Sequence, residues 1–246
     1  MRNRGMNKII LMLAGLILTV MSSCKSVQFK VNESSPIAVL TVFSNPTLPW
    51  YDPQAKSKSE PDDSVPSQLI KKSYQENPEL NTAQKRIDSA CLALMKGLED
   101  AGIEVVDKEA FSDTDEYQKL SKSFLSGLDT DLSAEGLRIL DYMNGKKYLP
   151  LAERTDAGSM MFVEFTFNKQ KTPVGLHDNY ILARTTMNVY IYDRTGQKVF
   201  HKKYTGLSET GPLDDNGYYN KNELVERFPE TVEYVVSHLV KDLLQE

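Results

Sequence analysis

The chain has 246 residues, of which 26% are charged and 40% hydrophobic, and its formal net charge is -5. Such a composition supplies a core for one ordinary domain or two small ones, and it excludes collagen, coiled coil, wholesale disorder and a multi-span membrane protein. The surplus of acids also excludes nucleic acid as a partner, because no Lys and Arg are left over to neutralise phosphates.

The first residues carry the strongest signal. Arg2, Arg4 and Lys8 occur without an acid, and Ile9 to Met21 follows as an uncharged, mostly apolar run. This is the layout of a signal peptide, and the run is shorter than the roughly 20 residues a permanent membrane-spanning helix needs. Met21-Ser22-Ser23-Cys24 closes it. Those four residues resemble the lipobox of bacterial lipoproteins, with Met21 standing where Leu is commonest. The resemblance implies cleavage before Cys24 and lipidation of Cys24 with acyl chains such as palmitate, which tether the protein to a membrane. Acyl chains stabilise membrane insertion by about 0.8 kcal/mol per buried CH₂, so two or three make a durable anchor. Residues 1–23 are thus expected to be the signal peptide, 24–35 a lipidated tether and 36–246 a single periplasmic domain. Lys25-Ser26-Val27-Gln28 lacks the Asp that resembles inner-membrane retention and the acidic run that resembles surface export. An outer-membrane protein facing the periplasm is the resulting expectation. Once Cys24 is acylated, Cys91 has no partner for an intramolecular disulfide, and on the apolar side of a helix it reads as an inert buried thiol.

Along the remaining chain, Pro36 to Phe43 is a nearly unbroken apolar run and predicts a strand buried on both faces. Ser44 to Pro66 is Pro-rich, contains Trp50 and predicts a long exposed loop over 44–66. Asn81 or Thr82 caps a helix running to about Ala101, with Ala83, Ile87, Cys91, Leu94 and Leu98 on its apolar face and Gly102 as its stop. Ile103 to Val106 predicts a short second strand. Ser133 to Met143 has helical spacing, and Tyr148 to Leu151 reads as a turn. Two alternating strands follow, Met160 to Lys169 and Tyr180 to Asp193, and Asp193-Arg194-Thr195-Gly196 turns the chain into a third over Gln197 to Leu207. Glu223 to Leu244 predicts a closing helix interrupted near Pro229. The fold class is therefore α/β (α+β): a mixed sheet of about five strands with an antiparallel C-terminal three-stranded meander, packed by helices. This order resembles the α/β domains of the curli-secretion lipoprotein and of the lipoprotein activators of penicillin-binding proteins, in topology over residues 36 to 243, with a late hairpin reading Val189-Tyr190-Ile191-Tyr192-Asp193-Arg194-Thr195-Gly196. The motifs are generic, and no functional residue carries over.

Catalytic signatures for serine hydrolases, nucleotide-binding loops, Cys-x-x-Cys redox sites and zinc proteases do not occur. His177, His201 and His238 are far apart, and Pro212 to Glu223 fits a calcium loop except that Pro212 takes the place of the first carboxylate. An Asn-capped helix is the better reading there, and no metal or cofactor is expected. Two features instead suggest recognition. Trp50 and Tyr51 lie in the Pro-rich loop, and Tyr180, Arg184, Tyr190 and Tyr192 share the more polar faces of the predicted strands. An uncovered face of this kind suits a protein or glycan of the cell envelope. The expectation is a lipid-anchored, non-enzymatic binding or assembly component. The alternative is an envelope hydrolase using carboxylates such as Glu164 and Asp178.

Overall fold

A computed structural model describes residues 31–51, 77–120, 131–174, 178–215 and 218–245. The leader, Cys24, most of the tether, loop residues 52–66 and His177 lie outside the described residues. Among those described, no helix is long and apolar enough to cross a membrane.

The helices are α1 (Val31–Ser34), α2 (Pro78–Asn81), α3 (Ala83–Asp100), α4 (Glu109–Ser112), α5 (Asp115–Gln118), α6 (Leu149–Arg154), α7 (Lys221–Val225) and α8 (Phe228–Leu244). The strands are β1 (Ile37–Ser44), β2 (Leu132–Ser133), β3 (Ser159–Val174), β4 (Asp178–Asp193) and β5 (Lys198–Leu207). They form a five-stranded mixed sheet in the order β2-β1-β3-β4-β5. β1 is parallel to β3, the β3–β4 and β4–β5 pairs are antiparallel, and β2 is antiparallel to β1. The expected mixed sheet with its three-stranded meander is thus present. β1 is buried along its whole length, as its nearly continuous apolar run predicts, although the middle strand of the sheet is β3.

The alternation along β3 and β4 decides what each face packs against. Met161, Val163, Phe165 and Phe167 pair with Ile191, Val189, Met187 and Thr185 and lie with α3 and α8 in one apolar core. The apolar stripe of α8 is Phe228, Val232, Val235, Val236, Leu239 and Leu243, and that of α3 is Ala83, Ile87, Ala90, Leu94 and Leu98. Pro229 falls in the first turn of α8, where its missing N–H costs no hydrogen bond, so the interruption near it separates α7 from α8. The opposite face carries Phe162 and Tyr192 beneath Tyr148, whose ring centroid is 4.9 Å from that of Phe162. The β4–β5 turn forms as expected: the Asp193 carboxylate accepts from the N–H groups of Thr195 and Gln197, and Gly196 has φ +74°.

Four local expectations are corrected. Ile103 to Val106 is not a sheet strand but a single parallel bridge at Val105, because only Ile37 pairs with it. The fifth strand is Leu132–Ser133. Ser133 to Met143 is not a helix, since Gly136 takes φ +77° and the Asp88 carboxylate draws in the Glu135 N–H at 2.8 Å. Tyr148 to Leu151 is not a loose turn: a 3₁₀ turn over Gly145–Tyr148, capped by Asn144, leads directly into α6 with Pro150 in its first turn. Finally, the segment after β1 is not exposed from Ser44 onward, because Ser44, Pro46 and Leu48 are buried against the sheet.

Candidate functional site: an aromatic end of the sheet

β3 and β4 pair over 16 residues each and run on past the end of β1. Beyond that point β3 would have an open edge, and the chain after β1 fills it. The Asn45 side chain acts like a strand residue: its Oδ1 accepts from Phe167 N at 2.8 Å and its Nδ2 donates to Phe167 O at 2.8 Å. Next, Lys169 N donates to Pro49 O at 3.0 Å and Tyr51 N donates to Lys169 O at 2.8 Å. Trp50 and Tyr51 are therefore held as an extended pair whose side chains project to opposite faces. Both stay accessible, at 49% and 38% exposure.

Trp50 takes the face that carries Lys169. The Lys169 ammonium lies 5.1 Å from the Trp50 ring centroid and 5.5 Å from that of Tyr219, and the two rings meet edge to face at 6.2 Å. Beneath them, Lys169 Nζ donates to both oxygens of Glu79, at 3.2 and 3.1 Å, and to Tyr219 Oη at 2.8 Å, while Tyr219 donates its hydroxyl hydrogen to Glu79. Burial, with the Glu79 charge alongside, pushes the Tyr219 hydroxyl well above the usual tyrosine range, so it stays a donor. Both charged side chains of this pair are nearly buried, and each satisfies the other. The platform under Trp50 is thus rigid.

Tyr51 takes the other face, where the Arg184 guanidinium stacks 3.7 Å from its ring centroid and donates to Gln170 Oε1 at 3.0 Å. Tyr180 is half-buried on the same face of β4, opposite Thr172, and Leu213 forms a bridge on its outer side. Leu213 and Tyr218 are exposed by 56% and 81%. The paired hairpin is hence flanked by Trp50 on one edge and Leu213 on the other, three strand spacings apart across the sheet and three residues apart along it, about 17 Å in all.

The six residues singled out in the sequence do not form one surface. Trp50, Tyr51, Arg184 and Tyr180 share the end of the hairpin. Tyr190, six residues from Arg184 and about 20 Å along the strand, belongs to a separate stack. Its ring lies 4.6 Å from Tyr142 and 4.1 Å from His201, and Asn188 donates to its hydroxyl at 3.0 Å. Tyr192 is corrected to a core residue: it is 5% exposed, meets Phe162 edge to face at 5.7 Å, and donates its hydroxyl to Tyr142 O. The turn at Gly145 closes over it, so no partner can reach that ring.

Of the two carboxylates in the alternative reading, the Asp178 side chain lies outside the described residues. Glu164 is half-buried and accepts from the Tyr142 hydroxyl at 3.4 Å. The neighbouring carboxylate is Asp131, which sequence reasoning missed; burial, reinforced by the Glu164 charge, pushes its carboxyl up to about 6. Cys91 is pushed up to about 11 by burial, which keeps it a thiol. Asn220 caps α7 by accepting from Glu223 N at 3.3 Å, as an Asn-capped helix requires, and Asn216 and Gly217 lie outside the described residues. Among the described residues no three His, Cys, Asp or Glu side chains are grouped to hold a metal ion.

No family model and no curated protein matches the chain. Among solved structures it is similar to a minor lipoprotein from Acinetobacter baumannii, with 14% identity and a TM-score of 0.30 over 64% of this chain and 81% of that one. At that level of likeness, function has to be read from this chain's own residues.

Proposed function

We propose that the protein is a lipid-anchored component of the bacterial cell envelope that works by binding a partner, without catalysis, through the aromatic end of its β3–β4 hairpin. The observation that carries this reading is the presentation of Trp50. A large aromatic ring is half exposed, yet its backbone is bonded into the sheet and its underside rests on the buried Lys169–Glu79–Tyr219 cluster. Exposed apolar area on a rigid support is what interface hot spots consist of, since little entropy is lost when the partner arrives. On the opposite face, Tyr51 and Leu213, the latter paired with Tyr180, add exposed apolar surface at the same end of the hairpin. The anchor at Cys24, expected in the outer membrane facing the periplasm, raises the effective concentration of this surface toward other envelope components.

The test is capture from envelope extracts by the intact protein and by a Trp50→Ala, Tyr51→Ala variant. A specific partner retained by the first and lost from the second supports the reading. Equal capture by both rules out this end of the sheet as the contact. One observation favours the hydrolase alternative: Asp131 lies beside Glu164 and its carboxyl is pushed up by burial and by the Glu164 charge, as the carboxyl of a general acid is. Cleavage of an envelope polymer that is lost in Asp131→Asn would support that reading instead.

A further inference from the structure

The helical side of the sheet holds a second recess, independent of the Trp50 end. α3 and α8 run in the same direction and approach most closely where Gly97 meets Val236; a Cβ at Gly97 would lie 2.5 Å from Val236 Cγ1. Toward their N-terminal ends they part around a cleft of about 610 Å³. The floor is apolar, made by Ala90, Ala93, Phe228 and Val232, and two alanines where larger side chains would interlock are what leave it open. Arg86 also lines the cleft, and its guanidinium is engaged through its two terminal nitrogens while its buried Nε has no partner among the described residues. Its guanidinium donates to Pro46 O and Glu79 O and lies 5.0 and 5.4 Å from the Phe167 and Phe228 rings.

The walls have opposite character. The α3 wall presents Lys85, and the facing wall presents Glu226 from the turn between α7 and α8 and Glu233 from α8; all three are exposed, and none pairs with another described residue. Along α3 the cleft runs from Thr82 to Ala93, about 16 Å or three helical turns. Leu92, two helical turns beyond Lys85 on the same side of α3, is 70% exposed and lies beside the cleft. A small ligand seated in the floor would leave Leu92 in water, whereas a helix lying along the groove covers it.

We propose that this cleft seats an amphipathic helix of a partner protein, with a narrow apolar stripe against Ala93, Phe228 and Val232, a basic flank against Glu226 and Glu233, and an acidic flank against Lys85. The test uses two labelled synthetic peptides of about 15 residues, long enough to hold helical structure, and the protein expressed with its own leader and purified in detergent. The peptides share a Leu stripe; one has a Lys flank and a Glu flank, and the other has Glu on both. Fluorescence anisotropy should show the mixed peptide binding about tenfold more tightly, the size expected from a few exposed charge pairs. The Glu226→Lys, Glu233→Lys variant should reverse that preference, and Ala93→Trp, which fills the floor, should abolish binding of either peptide. The two charge changes lie at exposed positions and carry the test even if Ala93→Trp perturbs the fold. Absence of saturable binding by the mixed peptide, or a preference that survives the charge reversal, would overturn the proposal.

Discussion

Lys169 is a cation at a position where the alternation of β3 calls for an apolar side chain, following Met161, Val163, Phe165 and Phe167 on the same face. A charge there is tolerable only because Glu79 and Tyr219 satisfy it out of water. The break in pattern is visible in the sequence; its partners are not, since they lie 90 and 50 residues away. Asp131 gives a test at this scale. Its folded carboxyl is raised above the ordinary 3.8 to about 6, so below about pH 4 the group is neutral whether the chain is folded or not. Between pH 4 and 6 the unfolded chain ionises it and the folded chain resists, so its contribution to stability falls as pH rises and stays unfavourable above 6. Asp131→Asn should therefore gain about 1 kcal/mol on wild type between pH 4 and pH 7, allowing for solvent screening of a half-buried group. Urea midpoints at pH 4 and pH 7 measure this. Parallel pH profiles for the two proteins would contradict the placement of Asp131.

At the scale of elements, the α3–α8 contact rests on Gly97. In an exposed helix, Gly→Ala gains close to 1 kcal/mol from backbone entropy. Here the added methyl meets Val236 Cγ1, a stiff β-branched side chain, so Gly97→Ala should instead destabilise by about 1–3 kcal/mol. Combined with Val236→Ala the penalty should vanish, leaving the double variant no less stable than Val236→Ala alone in thermal unfolding. Penalties that simply add would place the helices farther apart than the structure does. The elements with strong periodicity were legible: the alternation of 160–169 and 180–193 and the apolar stripes of α3 and α8 leave few alternatives for burial. The region from Ile103 to Leu151 was not. There the helical spacing after Ser133 is overridden by the left-handed Gly136 and the Asp88 contact, and pairing with β1 is decided by which short segment reaches its edge. Arg86 was equally hidden, because a basic residue beside Ile87 in a helix carries no local sign that it will hold the carbonyls of Pro46 and Glu79.

For the whole molecule, the tether and the recognition surface make separate predictions. Cys24→Ser should remove incorporation of labelled palmitate and release the protein from membranes, while the Trp50 surface is left intact. Labelling that persists in this variant would place the lipid elsewhere. Trp50 and Tyr51 were legible as large aromatics in a Pro-rich loop, yet their rigidity came from the bonds of Asn45 to Phe167 and of Lys169 to Pro49 and Tyr51, which no local pattern reveals. The most direct test of the central claim is site-specific photo-crosslinking in intact cells, with a photoreactive residue at position 50 and, as a control, at Tyr234, which is also exposed but lies on α8. A discrete crosslinked partner from position 50 and not from position 234 is the predicted result. No crosslink from position 50, or the same product from both positions, would contradict it.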